Sequence, residues 1–295
     1  MTDTVTDPTT TVTAPAATLR AAIDAVTLAA STDPARAALT AVQLDRDPDG
    51  ALRLTATDSY RLHTARVPAD LPEATRPVLV SAAALAALAR KVAPARVRSY
   101  STVTIDLALT PTIGGHALKP IDGDYPNWRQ LFPADAATVW SPPGNITARL
   151  DAGVRAVRGR IAATVYTALA TAKDIRPVDM ETAGKSARGA TILAVIDGIP
   201  PAATVTLRPS PPSIYRPEPL PDIDPLTLPD AGALEGDIAA LPVAFNPGYL
   251  ADGLAAVPGA WVRGTTGLKP WILLPGGVTD SATADVAALL MPIRL

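Results

Sequence analysis

The stretch Ala51-Leu-Arg-Leu-Thr-Ala-Thr-Asp-Ser-Tyr-Arg-Leu-His-Thr-Ala-Arg-Val67 sets the reading of the whole chain. Leu52, Leu54 and Ala56 recur every second residue, the period of a strand with one face toward a core. A second strand-like run follows from Tyr60 to Val67, and a third precedes it from Leu39 to Leu44. Asp47-Pro-Asp-Gly50 joins the first two runs in chain order and has the chemistry of a hairpin turn. Upstream, Leu19, Ala22, Ile23, Val26 and Ala30 recur at helical spacing, which predicts a helix from Thr18 to Ala30 that Asp33-Pro34 ends. Downstream, Ser81 is a candidate N-cap for a helix to Val92, stopped by Pro94. Strands are expected at Thr102 to Leu109 and from His116 to Ile121, and Asp122 to Pro133 closes the unit.

A similar order then begins again. Leu150, Val154, Val157, Ile161, Val165 and Leu169 step by three or four residues and predict the longest amphipathic helix of the chain. Strands are expected at Thr191 to Ile196 and Ala203 to Arg208. Eight prolines between Pro209 and Pro229 read as an extended loop, because proline forbids helix and disfavours central strands. Asn246-Pro247 supplies an N-cap and a proline at the first helical position for a short helix to Val257. Strands near Trp261 and at Trp271 to Leu274 follow, and Ala287 to Leu295 ends the chain as an apolar strand or tail. The predicted class is α+β, in two similar units: 15–133 and 134–295, behind a disordered Thr/Asp/Pro-rich tail at 1–14.

Composition removes whole classes of function. There is no cysteine, hence no disulfide, thiolate zinc site or cysteine nucleophile, and only His63 and His116 offer imidazole chemistry. Neither histidine has a ligand or a nucleophile at useful spacing, so core or surface roles are expected. No dinucleotide fingerprint, P-loop or nucleophile elbow occurs, and no enzyme activity or cofactor is expected. Asp45-Arg-Asp-Pro-Asp-Gly50 opens like a calcium loop, but its twelfth position is Ala56, which leaves a plain turn. Asn145-Ile-Thr147 is a glycosylation sequon that matters only on export, and the N-terminus lacks a signal-peptide pattern. Apolar runs fall short of the roughly 18 residues that span a bilayer, so a soluble, cytoplasmic protein without a membrane partner is expected. With 26 basic and 28 acidic residues the net charge is -2, and a nucleic-acid partner would need segregated charge.

Four strings then stand out in order: Ala56-Thr-Asp-Ser-Tyr-Arg-Leu62, Asp122-Gly-Asp-Tyr-Pro-Asn-Trp128 with Leu131-Phe-Pro133, Val243-Ala-Phe-Asn-Pro-Gly-Tyr-Leu250, and Leu290-Met-Pro-Ile-Arg-Leu295. Together they resemble the bacterial replicative sliding clamp, the β subunit of DNA polymerase III. The resemblance implies the DNA-clamp fold: two helices packed on antiparallel sheets in each domain, and domains closed into a ring around duplex DNA. Family members usually carry three domains per subunit, and these strings match the middle and last. Two domains per chain then imply a homotrimer of six domains, with a homodimer second. Arg-rich composition and short length suit a bacteriophage of a GC-rich host.

The same resemblance implies two functional surfaces. Basic residues flanking the helical stripes, Arg20, Arg90, Lys91, Arg149, Arg155, Arg158 and Arg160, would line the channel, with a packing or interface role open for Arg158. Leu39, Thr57, Ser59, Tyr60, Arg61, Leu62, Pro126 and Leu131, with Leu290, Met291, Pro292, Ile293, Arg294 and Leu295, would form an apolar pocket between the domains. That pocket would take short apolar motifs of the polymerase and the clamp loader. The competing reading is a clamp-derived interaction protein that binds replication proteins without encircling DNA.

Overall fold

In the computed structural model, the residues described are 11–94, 101–107, 110–133, 136–170, 185, 190–210 and 223–295. The chain divides into two compact units, one of 1–132 with 256–258 and 277–289, the other of 133–255, 259–276 and 290–295.

The first unit is built on the stretch quoted at the outset. Strands β1 (Thr11–Pro15), β2 (Ala41–Arg46), β3 (Leu52–Thr57), β4 (Arg61–Val67), β5 (Val78–Ser81), β6 (Thr102–Asp106), β7 (Thr112–Ile113) and β8 (His116–Ala117) accompany helices α1 (Ala16–Thr27) and α2 (Ala82–Val92). One antiparallel sheet runs β1-β6-β7-β8, and β4, β3, β2 and β5 lie side by side in another. At the predicted turn the Asp47 N–H donates to the Ala51 carbonyl at 2.8 Å, and Gly50 adopts φ 91°, which glycine reaches without strain. All six residues of β3 are buried. Leu52, Leu54 and Ala56 face a core shared with Leu19, Ile23 and Val26 of α1 and Leu85 of α2. On the second face the Tyr125 hydroxyl donates to the Thr55 carbonyl and the Trp128 indole N–H to Gln43 Oε1, so the closing loop covers it. Burial lifts the Tyr125 phenol above the usual range.

In the second unit, β9 (Thr138–Ser141) precedes α3 (Ile146–Ala170). Then come β10 (Ile192–Ile199), β11 (Ala202–Pro209), β12 (Leu226–Leu228), β13 (Ala233–Gly236), β14 (Val243–Phe245), α4 (Pro247–Ala256), β15 (Ala260–Gly264) and β16 (Trp271–Pro275). The sheet order is β14-β10-β11-β13-β9-β15-β16, with β12 beside β11. Helix α3 lies over β10, β11 and β12, and buries Leu150, Val157 and Ile161. A Cβ at Gly153 would collide with Leu207, so glycine here lets the helix approach the sheet. Asn246 caps α4 as predicted, its Oδ1 accepting from the Gly248 and Tyr249 amides. Strand β17 (Val286–Leu290) then returns beside β4 in the first unit, where the Arg66 amide donates to the Asp285 carbonyl.

Several expectations are corrected. Thr11 to Ala14 are not a disordered tail: they pair with β6 from Thr11↔Asp106 onward. Residues 1–10 lie outside the described residues. Helix α1 starts two residues earlier than expected and ends at Thr27. Leu39 sits in a 3-10 turn (Pro34–Thr40), and the strand begins at Ala41, because Asp33 caps the Pro34 turn through the Ala35 amide. The strand at His116 stops at Ala117. The Pro-rich stretch ends in β12, which pairs with β11 from Val205↔Leu228, since Leu226-Thr-Leu228 lies between prolines and keeps its amides. Residues 211–222, like Ala108, Leu109 and the Leu169 side chain, lie outside the described residues.

Among the described residues no helix is long and apolar enough to cross a membrane. Asp45, Asp47 and Asp49 each pair with an arginine, Arg129, Arg53 and Arg66, which accounts for the calcium-like acids as a charge-matched turn. His63 is buried and its Nδ1 lies 2.8 Å from the Ala25 carbonyl.

Candidate functional site

The turn from Thr57 to Leu62 is fixed by its own side chains. The Asp58 carboxylate accepts from the amides of Tyr60 (2.9 Å) and Arg61 (3.0 Å) and pairs with the Arg61 guanidinium at 3.0 Å. Thr57 Oγ1 donates to the Arg61 carbonyl at 2.6 Å and accepts from the Ser59 amide. This bonding holds Ser59 at φ 82°, a left-handed conformation costly for a residue with a Cβ. Arg36, which no sequence signal marked, donates to the Asp58 carbonyl and Ser59 Oγ from outside the turn. The result presents Tyr60 outward, 60% exposed, and sends Leu62 inward at 1%.

Leu62 is thus floor and not rim. It packs with Trp128 and Leu289, and Tyr125 and Phe132 close around them. Phe132 meets the Trp128 ring edge-on at 6.0 Å, and Arg129 lies 4.5 Å above the same ring. Pro126 and Leu131 are exposed on this loop, Leu131 at 43%. Leu39 is half-buried in its 3-10 turn. Trp128 was legible only as part of a string, and Leu289 gave no signal, because both act through contacts distant in sequence.

In the second unit the chain end makes a pocket of its own. Ile293 donates its amide to the Ala244 carbonyl at 2.7 Å, which pins the terminus beside β14. Ile293, Arg294 and Leu295 then line a pocket of about 370 Å³ with Pro242, Val243, Gly267 and Leu268. Leu268 is 68% exposed and Leu295 52%, an apolar mouth with one guanidinium at its edge. Met291 is exposed and Pro292 half-buried, while Leu290 is buried strand and offers nothing to a ligand. Leu268, unlike the terminal residues, could not be found from sequence, since its loop touches the terminus only after folding.

The basic residues divide into free and engaged. Arg90, Lys91, Arg155 and Arg158 are exposed on α2 and α3. Arg20 pairs with Asp24 at 2.6 Å and donates to the Ala93 carbonyl, so its charge is largely spent within the unit. Arg149 donates to the Asp230 carbonyl and Arg160 to the Asp224 carbonyl, which turns both toward loops. Across the four helices seven basic residues stand against three acidic ones. The remainder of the chain then holds 19 basic and 25 acidic residues, so positive charge is concentrated on the helices.

Two α+β units of this kind, each laying helices on antiparallel sheets, form the DNA-clamp fold. Residues 13–127 match the family described as the DNA polymerase III beta subunit, central domain. The DNA polymerase sliding clamp of Bacillus subtilis is similar over 98% of this chain and 65% of its own, with 20% identity and a TM-score of 0.66. The DNA polymerase III beta chain of Streptococcus pneumoniae gives 17% identity over 98% and 66%, with a TM-score of 0.69. The Pseudomonas aeruginosa clamp, solved with griselimycin bound, gives 17% over 99% and 67%, with a TM-score of 0.65. The chain thus spans about two thirds of the length of the clamps it matches. No curated protein matches it.

Proposed function

We propose that this protein is a DNA sliding clamp: a ring that encircles duplex DNA and tethers a replicative polymerase, catalysing nothing itself. The single observation that carries the reading is the clamp fold over 98% of the chain, joined to a central-domain family match at 13–127. The chemistry agrees. A ring that slides needs phosphate attraction without base readout, and the excess of arginine and lysine on the helices supplies it. A tether needs an apolar seat for short peptide segments, and the Ile293–Leu295 pocket and the Tyr60–Leu131 rim offer exposed apolar surface with guanidinium edges.

Partners would be duplex DNA, the polymerase and the clamp loader, met in the cell interior. Six clamp units per ring would make the assembly a homotrimer, held by head-to-tail interfaces. Mass photometry tests this: a species of three times the 30.4 kDa chain mass is expected, and a monomer or dimer at micromolar concentration contradicts it. Fluorescence anisotropy with a labelled apolar clamp-binding peptide tests the tether. Saturable binding that is lost when Leu268 and Leu295 are replaced by Ser supports it, and unchanged affinity rejects it.

A further inference from the structure

We propose that a pocket in the second unit is a seat for a single backbone phosphodiester of DNA, shared by Arg155 and Arg158. It rests on the clamp reading and narrows it. The pocket encloses about 420 Å³ between α3, the start of β10 and the first turn of α4. Arg155 and Arg158 stand three residues apart on α3, so they rise from one face of the helix and line one wall. Among the described residues neither guanidinium has a protein partner, in contrast to Arg149 and Arg160 on the same helix.

The lining fixes the ligand class. Asp151 is the one carboxylate in the wall, so two guanidiniums and one carboxylate leave one net positive charge. That matches a phosphodiester monoanion better than a terminal phosphate dianion. The Thr191 hydroxyl adds a donor beside the arginines. Asn246 Oδ1 already takes the Gly248 and Tyr249 amides, so α4 contributes a wall and the arginines contribute the affinity. No aromatic side chain lines the pocket among the described residues, so no nucleobase can stack there. A charged seat without a stacking platform holds backbone and ignores sequence, as sliding requires.

The experiment is a salt titration of duplex-DNA binding by the full-length protein and by the Arg155→Gln, Arg158→Gln, double and Asp151→Asn variants. Each phosphate neutralised contributes about 0.9 to the slope of log K against log salt. A shared seat predicts that the double variant loses about 0.9 of slope, that either single variant loses most of it, and that Asp151→Asn tightens binding. Additive losses reaching about 1.8 would place the arginines on separate phosphates and overturn the seat. An unchanged slope would overturn it as well. Wild-type protein with no salt-dependent affinity for duplex would sink the clamp reading itself, and the seat with it.

Discussion

Replacing Arg53 by Met should cost about 3 kcal/mol, the low end of the range for removing one partner of a buried ion pair. Arg53 is 2% exposed and pairs with Asp47 at 2.6 Å. It also donates to the carbonyls of Ala282 at 3.0 Å and Ala284 at 3.2 Å, and so ties the segment leading into β17 to β3. The substitution strands the Asp47 carboxylate, which retains only Arg129 at 3.4 Å and Arg66 at 3.7 Å. That partial compensation sets the estimate at the low end. Adding Asp47→Asn removes the stranded charge, so the double variant should be less damaged than the single, at about 1–2 kcal/mol for the two unpaired carbonyls. Denaturant unfolding gives both values, and hydrogen exchange should show early opening of 282–290 in the single variant. A double variant as damaged as the sum of the two singles would refute the reasoning, as would a single variant costing under about 1 kcal/mol.

Trp128→Ala removes a large buried ring and its bond to Gln43, and should cost about 3–5 kcal/mol in the first unit while loosening Leu62 and Leu289, read by thermal unfolding. Truncation after Leu290 removes one wall of the 370 Å³ pocket but leaves β17 whole, so peptide binding should vanish while the unfolding midpoint shifts little. Ser59→Gly relieves the φ 82° conformation and should leave stability equal or raised by up to about 1 kcal/mol, whereas Ser59→Val should lower it by at least that much. Burial keeps the Tyr125 phenol protonated in the folded state beyond its ordinary value of 10.0, with the Thr57 backbone acting weakly the other way. The unfolded chain releases that proton near pH 10, so stability is full below it and falls as pH rises above it. Tyr125→Phe should flatten this alkaline loss in urea titrations.

What the sequence disclosed follows the range of the forces at work. The β2–β3 turn, the Ser81 and Asn246 caps and the α3 stripe are local, and each is set by residues within a few positions of it. β9 and β13 escaped notice because Thr138-Val-Trp-Ser141 and Ala233-Leu-Glu-Gly236 are too short to show a period and exist only by pairing with each other. β12 was hidden by the prolines around it, although its own three residues have free amides. The Thr57–Leu62 turn was found as a string, but its rigidity comes from Asp58 and from Arg36, 22 residues away, which periodicity cannot show. Likewise Arg149 and Arg160 looked like channel residues by helical angle, yet loop carbonyls of Asp230 and Asp224 claim them. Arg155 and Arg158, equivalent on paper, face an open pocket.

The central claim is topological, and topology can be measured directly. Labelled protein is loaded by its cognate loader onto nicked circular DNA, washed in high salt, and followed before and after the circle is cut. Retention on the circle with release upon linearisation is the predicted result. Equal retention on both forms, or none on either, would contradict a ring that encloses the duplex.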